Sequence, residues 1–374
     1  MKLNITFEEK AYIFESRQEL IPKDWEDLYR YISEKDSGYT VMVLGNVDTG
    51  KTGLITYLAN KLFFDGKKVA IVDADTGQSD IGPPATIGLG KISKPIIHLS
   101  QAELLDAFFV GNVTPAGVLD RSITGTYRMV QKGKHLGYDV ILIDTTGWIG
   151  DRWGRELKTL KIMTVNPDLI VFIEKERGEL SHIEKTIIGL SFDTYHVSAP
   201  PELRARTREE RRTIRVEMFQ KEFNGASEVV LSLEDLGIEY GFLGTGGEPK
   251  EETLLILRRY FGENMPYVEE SQDSLVIYSE ERISAGVLQE LKYALNKREV
   301  INIIKEDLFH VLVCLTDNQG TYLGLGIVLD FDPKERKLTI LTKANSARIS
   351  NIQIGHIRVS PDGREEEKFN PWRI

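Results

Sequence analysis

The chain has 374 residues, 41% of them hydrophobic and 28% charged, which is long enough for two or three domains and too apolar for a disordered protein. Its formal net charge of −10 excludes wholesale coating of nucleic acid and leaves room for one local basic groove. The single cysteine, Cys314, excludes an intrachain disulfide and a cysteine-based zinc site; no apolar run reaches the roughly 18 residues of a membrane span and MKLNITFEEK has no apolar signal core, so a reducing, cytoplasmic setting is expected.

Residues 1–38 read as an N-terminal segment, with a short strand pair, a helix in IPKDWEDLYRYI beginning near Pro22–Lys23, and Gly38 as its close. TVMVLG (40–45) is a buried strand, and Leu54, Ile55, Leu58, Ala59 and Leu62 follow at helical spacing. KKVAIVDAD is a second strand, KPIIHL (94–99) a third, and AELLDAFFV reads as helical. Residues 118–136 form a helix, DVILIDTTG (139–147) and PDLIVFIE (167–174) are apolar strands, and a helical segment ends near Leu190. Nearly continuous apolar strands alternating with helices predict an α/β fold, a parallel sheet covered on both faces, with its ligands at the carboxyl ends of the strands. After about residue 226 the alternation stops. Helices at 251–261 and 285–296 are interspersed with strands, and 299–374 is mostly strand and turn, a β-rich C-terminal domain for which a barrel is one form. The expected division is 1–38, 39–225 and 226–374.

Gly45-Asn46-Val47-Asp48-Thr49-Gly50-Lys51-Thr52 matches G-x-x-x-x-G-K-[ST], after a strand and before a helix. In such a loop glycines let backbone N–H groups curl round phosphate oxygens and the helix N-terminus adds its positive end. Lys51 is expected on the β- and γ-phosphates of ATP or another NTP, and Thr52 on Mg²⁺. Asp144 closes an apolar strand, the place of a carboxylate that holds Mg²⁺. The next question is why VDADTGQ (72–78) places two carboxylates at another strand end. Asp75 fits a general base for a hydroxyl acceptor; Asp73, on the same side of the strand, fits support of Mg²⁺ or the lysine; Gln78 fits orientation of a phosphate or nucleophile. DTTG (144–147) also matches the D-x-x-G of GTPases, but no [NT]-K-x-D follows, since Thr342-Lys343-Ala344-Asn345 lacks the aspartate. A switch-type GTPase or ATPase is the alternative. The six histidines show no metal spacing.

Taken together, GNVDTGKT, VDADTGQSDIGPP, NVTPAG and DTTGWI, followed by an arginine-rich helix, resemble the polynucleotide 5′-hydroxyl kinase family over roughly residues 20–225. The family's eukaryotic members work in tRNA splicing, mRNA 3′-end formation and pre-rRNA processing, and its archaeal members are close in size to this chain. The resemblance implies transfer of the γ-phosphate of ATP to 5′-hydroxyl ends of RNA or DNA with Mg²⁺, in RNA processing or repair, with no membrane, and it leaves RNA-processing protein partners unknown. It implies that Asp75 activates the 5′-hydroxyl and that Thr114 and Pro115 belong to a clasp on the acceptor phosphate, although Val118 stands where the family has asparagine. Trp148 is similar to a tryptophan that stacks on the terminal base, a platform any base can use; Trp153 reads as structural. Arg177, in Glu174-Lys175-Glu176-Arg177, resembles the segment near the nucleobase. Arg204, Arg208, Arg211, Arg212 and Arg215 of PELRARTREERRTIRVEMF (201–219) fall on one helical stripe, and like charges on one face repel unless an anion lies against them. In the family this helix is a lid whose arginines reach the transferring phosphoryl, and the resemblance does not say which arginine is catalytic. A nucleotide-bound scaffold without kinase activity is a further alternative.

Overall fold

The computed structural model describes residues 2–7, 11–16 and 21–374 other than Glu202 and Arg204, with the backbone alone for residues up to 16. The chain divides into two compact units, Met1–Arg211 and Arg212–Ile374.

In the first unit, β1 (Lys2–Phe7) and β2 (Ala11–Ser16) pair as an antiparallel hairpin. Helix α1 (Lys23–Ser33) begins where the sequence places it, and Trp25, Leu28 and Ile32 bury one stripe in the same core as strand residues Val41 and Val43. The helix before residue 38 is therefore part of this unit's core and not a separate piece. Seven strands make the main sheet: β3 (Tyr39–Gly45), β4 (Val69–Ala74), β5 (Thr86–Lys91), β6 (Glu103–Phe109), β7 (Val140–Thr145), β8 (Leu169–Glu174) and β9 (Asp193–Ser198). Their order is β6-β5-β4-β7-β3-β8-β9, with β4, β7, β3, β8 and β9 parallel. Because strand side chains alternate, Val41, Val43, Ile71 and Leu142 face one core, shared with α1 and α2 (Lys51–Phe64). Met42, Leu44, Val72 and Ile143 face the other, shared with α3 (Leu119–His135), α4 (Arg152–Val165) and α5 (Ser181–Ile187). The sheet is covered on both faces, as its apolar strands require.

Two expectations are corrected at the edge. KPIIHL is not a strand; a single 3₁₀ turn covers Leu99–Gln101. AELLDAFFV is not a helix but contributes β6, antiparallel to β5. Pairing along a sheet edge overrides the helical propensity of Ala, Glu and Leu, and Asp106, buried in β6, is satisfied by Lys132 of α3. The partner strand β5 was illegible because Gly88 and Gly90 interrupt its apolar pattern.

The unit boundary falls inside α6 (Arg208–Phe223), earlier than the expected 225. The second unit contains two sheets. Six strands run in the order Ser227–Ser232, Lys337–Thr342, Tyr322–Asp332, Val311–Thr316, Asn351–Val359, Gly237–Glu239, with Glu365–Lys368 beside Asn351–Val359; among the described residues this order is open and not a closed barrel. Tyr267–Glu270, Ser274–Tyr278 and Glu299–Ile303 form a second sheet whose core of Leu257, Leu275, Ile277 and Leu291 is shared with helices Glu251–Phe261 and Ala285–Ala294. No helix among the described residues is long and apolar enough to cross a membrane.

Candidate active site

The loop Gly45–Thr52 joins the end of β3 to the start of α2, at the carboxyl edge of the sheet. Gly50 caps α2 with φ of 88°, a left-handed conformation that glycine adopts without cost. Thr49 Oγ1 and Lys51 Nζ both donate to the Asn46 carbonyl, at 2.9 and 2.7 Å, folding the loop over itself. Lys51 is buried; burial lowers its ammonium pKa, and the charges of Asp144, Asp75 and Asp48 oppose that shift. Asn46 also donates from Nδ2 to Glu179 Oε1 at 3.1 Å, which ties the loop to the 175–180 segment. Arg177 in that segment is exposed.

Parallel pairing of β4 with β7 sets Asp73 directly beside Asp144. The Thr52 hydroxyl donates to Asp144 Oδ2 at 2.7 Å, joining the helix start to the strand end. Burial pushes the Asp144 carboxyl up to about 6, against the pull of Lys51 and the Thr52 hydroxyl. Asp73, expected to support Mg²⁺ or the lysine, is hydrogen-bonded to backbone amides. Its Oδ1 accepts the Asp75 amide, and its Oδ2 accepts the Asp80 and Ile81 amides, so both oxygens are committed to shaping the loop after β4. Burial, then the charges of Asp144, Asp80 and Asp75, pushes its carboxyl well above the usual range.

Asp75 sits on that loop, half-buried, with Oδ1 accepting the Gly77 and Gln78 amides at 3.1 Å each. A Cβ on Gly77 would lie 2.6 Å from the Val113 carbonyl, so this loop lies against the segment that carries Thr114 and Pro115. Thr114 Oγ1 accepts the Ala116 amide at 3.4 Å, Pro115 is buried, and the Pro115 carbonyl accepts the Val118 amide at 3.0 Å. Val118 is buried at the start of α3. Beside it Asn112, unnoticed in the sequence, is buried with Oδ1 unpartnered and Nδ2 donating to the Ala116 carbonyl at 3.3 Å. Gln78 Nε2 donates to the Gly77 carbonyl at 2.8 Å and to the Arg211 carbonyl at 3.4 Å, while its Oε1 accepts from Arg206 at 3.4 Å. Trp148 is half-buried in the turn after β7 and donates from Nε1 to Asp151 Oδ2 at 2.9 Å.

Of the arginine stripe, Arg211 reaches the P-loop, with Nη2 donating to Asp48 Oδ2 at 2.8 Å. Arg208 is exposed at the first position of α6. Arg212 is exposed, and Arg215 is ion-paired with Glu365, both in the second unit. Arg204 lies outside the described residues. The Asp48–Arg211 pair was missed because the P-loop pattern leaves that position open to any residue. Two further residues were missed. Lys158 and Lys161 of α4 are fully buried, with Lys158 Nζ donating to the Thr146 carbonyl and Lys161 Nζ to Ser122 Oγ at 3.3 Å. The available signal was their place on the helix's buried stripe, with Gly154, Leu157, Ile162 and Val165.

The polyribonucleotide 5′-hydroxyl-kinase of Pyrococcus furiosus is 37% identical over 346 residues, covering 92% of this chain and 94% of that protein. The chain belongs to the polyribonucleotide 5′-hydroxyl-kinase family. The enzyme of that name from Methanocaldococcus jannaschii is 30% identical over 92% of this chain and 94% of its own length. Residues 45–225 match the family model described as mRNA cleavage and polyadenylation factor CLP1 P-loop. A solved complex of Clp1p with Pcf11p (454–563) covers 90% of this chain and 79% of that one at a TM-score of 0.59 and 14% identity, a likeness of fold. Membership in this kinase family makes a nucleotide the substrate of the P-loop site.

Proposed function

We propose that the protein transfers the γ-phosphoryl group of ATP to the 5′-hydroxyl end of RNA, in RNA processing or repair. The observation that supports this is the pairing of β4 with β7: it sets Asp73 beside Asp144, so that Asp75, two residues on, is close enough for its charge to act on the Thr52–Asp144 pair of the phosphate-binding loop. The word polyribonucleotide in the relatives' names supports RNA over DNA as the acceptor.

The loop amides and Lys51 hold the β- and γ-phosphates, and Arg177, beside the P-loop tie at Glu179, faces the base. The Thr52 hydroxyl and the Asp144 carboxylate suit Mg²⁺. They are hard oxygen donors 2.7 Å apart, and Mg²⁺ commonly takes one or two protein oxygens and keeps waters and phosphate oxygens as its other ligands. Bound there, Mg²⁺ neutralises charge on the phosphates. Asp73 supports the site by holding the loop that carries Asp75. The 5′ oxygen forms a bond to the γ-phosphorus as the bond from that phosphorus to the β,γ-bridging oxygen breaks. ADP leaves, and the acceptor's proton passes to Oδ2 of Asp75, since Oδ1 already accepts two amides. Gln78, Thr114 and Pro115 line the acceptor side and Trp148 stacks on the terminal base. Arg211 is the arginine that meets the transferring phosphoryl, with Arg208 beside it on the same helix.

The test is transfer of label from γ-labelled ATP to a 5′-hydroxyl RNA oligonucleotide, comparing the wild type with Asp75→Asn. Labelled RNA from the wild type, reduced at least a hundredfold in the variant, on the order expected for a lost general base, is the predicted result. Nucleotide hydrolysis without labelled RNA would replace this reading with a switch-type NTPase, and silence in both would replace it with a nucleotide-bound scaffold.

A further inference from the structure

Trp153 reads from sequence as a structural tryptophan, and its surroundings say otherwise. It is 45% exposed, whereas the inward stripe of α4 is Gly154, Leu157, Lys158, Lys161, Ile162 and Val165. The Arg152 guanidinium lies over its ring, 4.6 Å from the centroid. An exposed indole with a guanidinium beside it combines a surface on which a base stacks with a cation for the neighbouring phosphate.

The charge pattern points the same way. Arg152 and Arg155 are both exposed at the start of α4, with the Asp151 cap before them and exposed Glu156 after them. The N-terminus of a helix already presents positive backbone ends, so cations there destabilise it. The cap, Asp151, accepts the Gly154 amide at Oδ1 at 2.8 Å and Trp148 Nε1 at Oδ2 at 2.9 Å, and these bonds, with the Arg152 charge after them, hold its carboxyl below the usual range. A phosphate lying against this turn would meet two exposed guanidinium groups. A Cβ on Gly154 would lie 2.8 Å from the Trp148 carbonyl, so the first turn of α4 is packed directly on the residue assigned to the terminal base.

We propose that Arg152 and Trp153, with Arg155, form a second subsite for single-stranded RNA, in which Trp153 stacks on a base downstream of the 5′ end and the two arginines hold the intervening phosphates. This inference rests on the kinase reading and on Trp148 as the first platform. The subsite gives the enzyme a preference for acceptors longer than a dinucleotide without touching the reacting atoms, and it is sequence-tolerant because every base offers a π-face.

The test has two arms. In the kinase assay, wild type prefers a ten-residue RNA to a dinucleotide, and Trp153→Ala loses that preference through a roughly tenfold rise in KM for the longer RNA with kcat little changed, on the order of one lost base stack. Trp153→Phe keeps most of the preference, and Arg152→Ala makes KM for the longer RNA less dependent on salt. A ratio of the two KM values that Trp153→Ala leaves within twofold of wild type overturns the subsite. In the second arm, anisotropy of a labelled ten-residue RNA measures binding without turnover. Weaker binding by Trp153→Ala from a wild type that phosphorylates nothing keeps the subsite and removes the kinase, whereas equal binding removes the subsite alone.

Discussion

Arg211 donates from Nη2 to the carboxylate of Asp48 at 2.8 Å, so the start of an arginine-rich helix is attached to the loop that cradles phosphates. A carboxylate beside a polyphosphate is a like-charge contact, and the guanidinium offsets it. Arg215 has a different partner, Glu365 of the second unit. The two arginines therefore separate in effect. Arg211→Ala is expected to lower kcat by on the order of 10³ with ATP affinity falling less than tenfold, whereas Arg215→Ala changes kcat by less than about threefold. Steady-state kinetics with ATP and a 5′-hydroxyl RNA measure both, and equal losses in the two variants would refute the distinction.

Asp73 and Asp75 are two residues apart and do different work. Asp73 accepts three backbone amides, from Asp75, Asp80 and Ile81, inside the protein. Its replacement by alanine leaves those donors without acceptors and is expected to destabilise the first unit by about 1–3 kcal/mol, with activity falling along with the loop. Asp75→Asn keeps an oxygen for the Gly77 and Gln78 amides and should leave stability within about 0.5 kcal/mol of wild type while abolishing most transfer. Urea unfolding of the two variants decides the matter; an Asp73→Ala protein as stable as wild type would return Asp73 to the metal.

The legible parts of this molecule are those whose chemistry is local in sequence. The P-loop, the apolar strands ending in Asp73 and Asp144, and α2 each announce themselves within about ten residues, because phosphate binding, burial and helical periodicity act over one turn or one strand. What was illegible depends on partners far away in the chain. β6 looks helical until β5 supplies its hydrogen bonds, and β5 is hidden by Gly88 and Gly90. The tie from Asn46 to Glu179 spans 133 positions, and the pair of Asp48 with Arg211 spans 163. Neither has a pattern that a single sequence can show. Lys158 and Lys161 were overlooked because lysine on a helix is ordinarily a solvated residue, although their spacing put them on the buried stripe.

The contact between the P-loop and the D-T-T-G turn is tight enough to test by one methyl group. A Cβ on Gly147 would lie 2.6 Å from the Val47 nitrogen and 2.7 Å from its Cα, and both neighbours are backbone. Gly147→Ala must therefore displace the loop. We expect nucleotide affinity to fall by roughly a hundredfold, on the order of the few kcal/mol that overpacking costs. The protein should stay folded, and the rise in melting temperature that ATP gives the wild type should be lost. A variant with the wild-type shift would mean that the loop can give way at no cost.

Lys161 offers a prediction about pH. Burial depresses its ammonium from an ordinary 10.5 to about 8, with Asp75 and Asp73 opposing the shift. Below about 8 the side chain is charged in both the folded and the unfolded chain, and the folded state carries the full cost of burying a cation. Between about 8 and 10.5 the folded protein has released this proton and the unfolded chain has kept it. The unfolded state then binds more protons, so stability rises with pH across that window and levels off above it. The depression corresponds to roughly 3 kcal/mol, from which the lost hydrogen bond to Ser122 Oγ must be subtracted in any variant without the amine. Lys161→Met, similar in length and uncharged, is expected to be more stable than wild type at pH 7 and to lose the rise in stability between about pH 8 and 10. Urea midpoints for the two proteins across that range give the answer. A methionine variant that is less stable at pH 7 and keeps the wild-type slope would show that the ammonium is held by Ser122 and the nearby aspartates strongly enough to repay its burial.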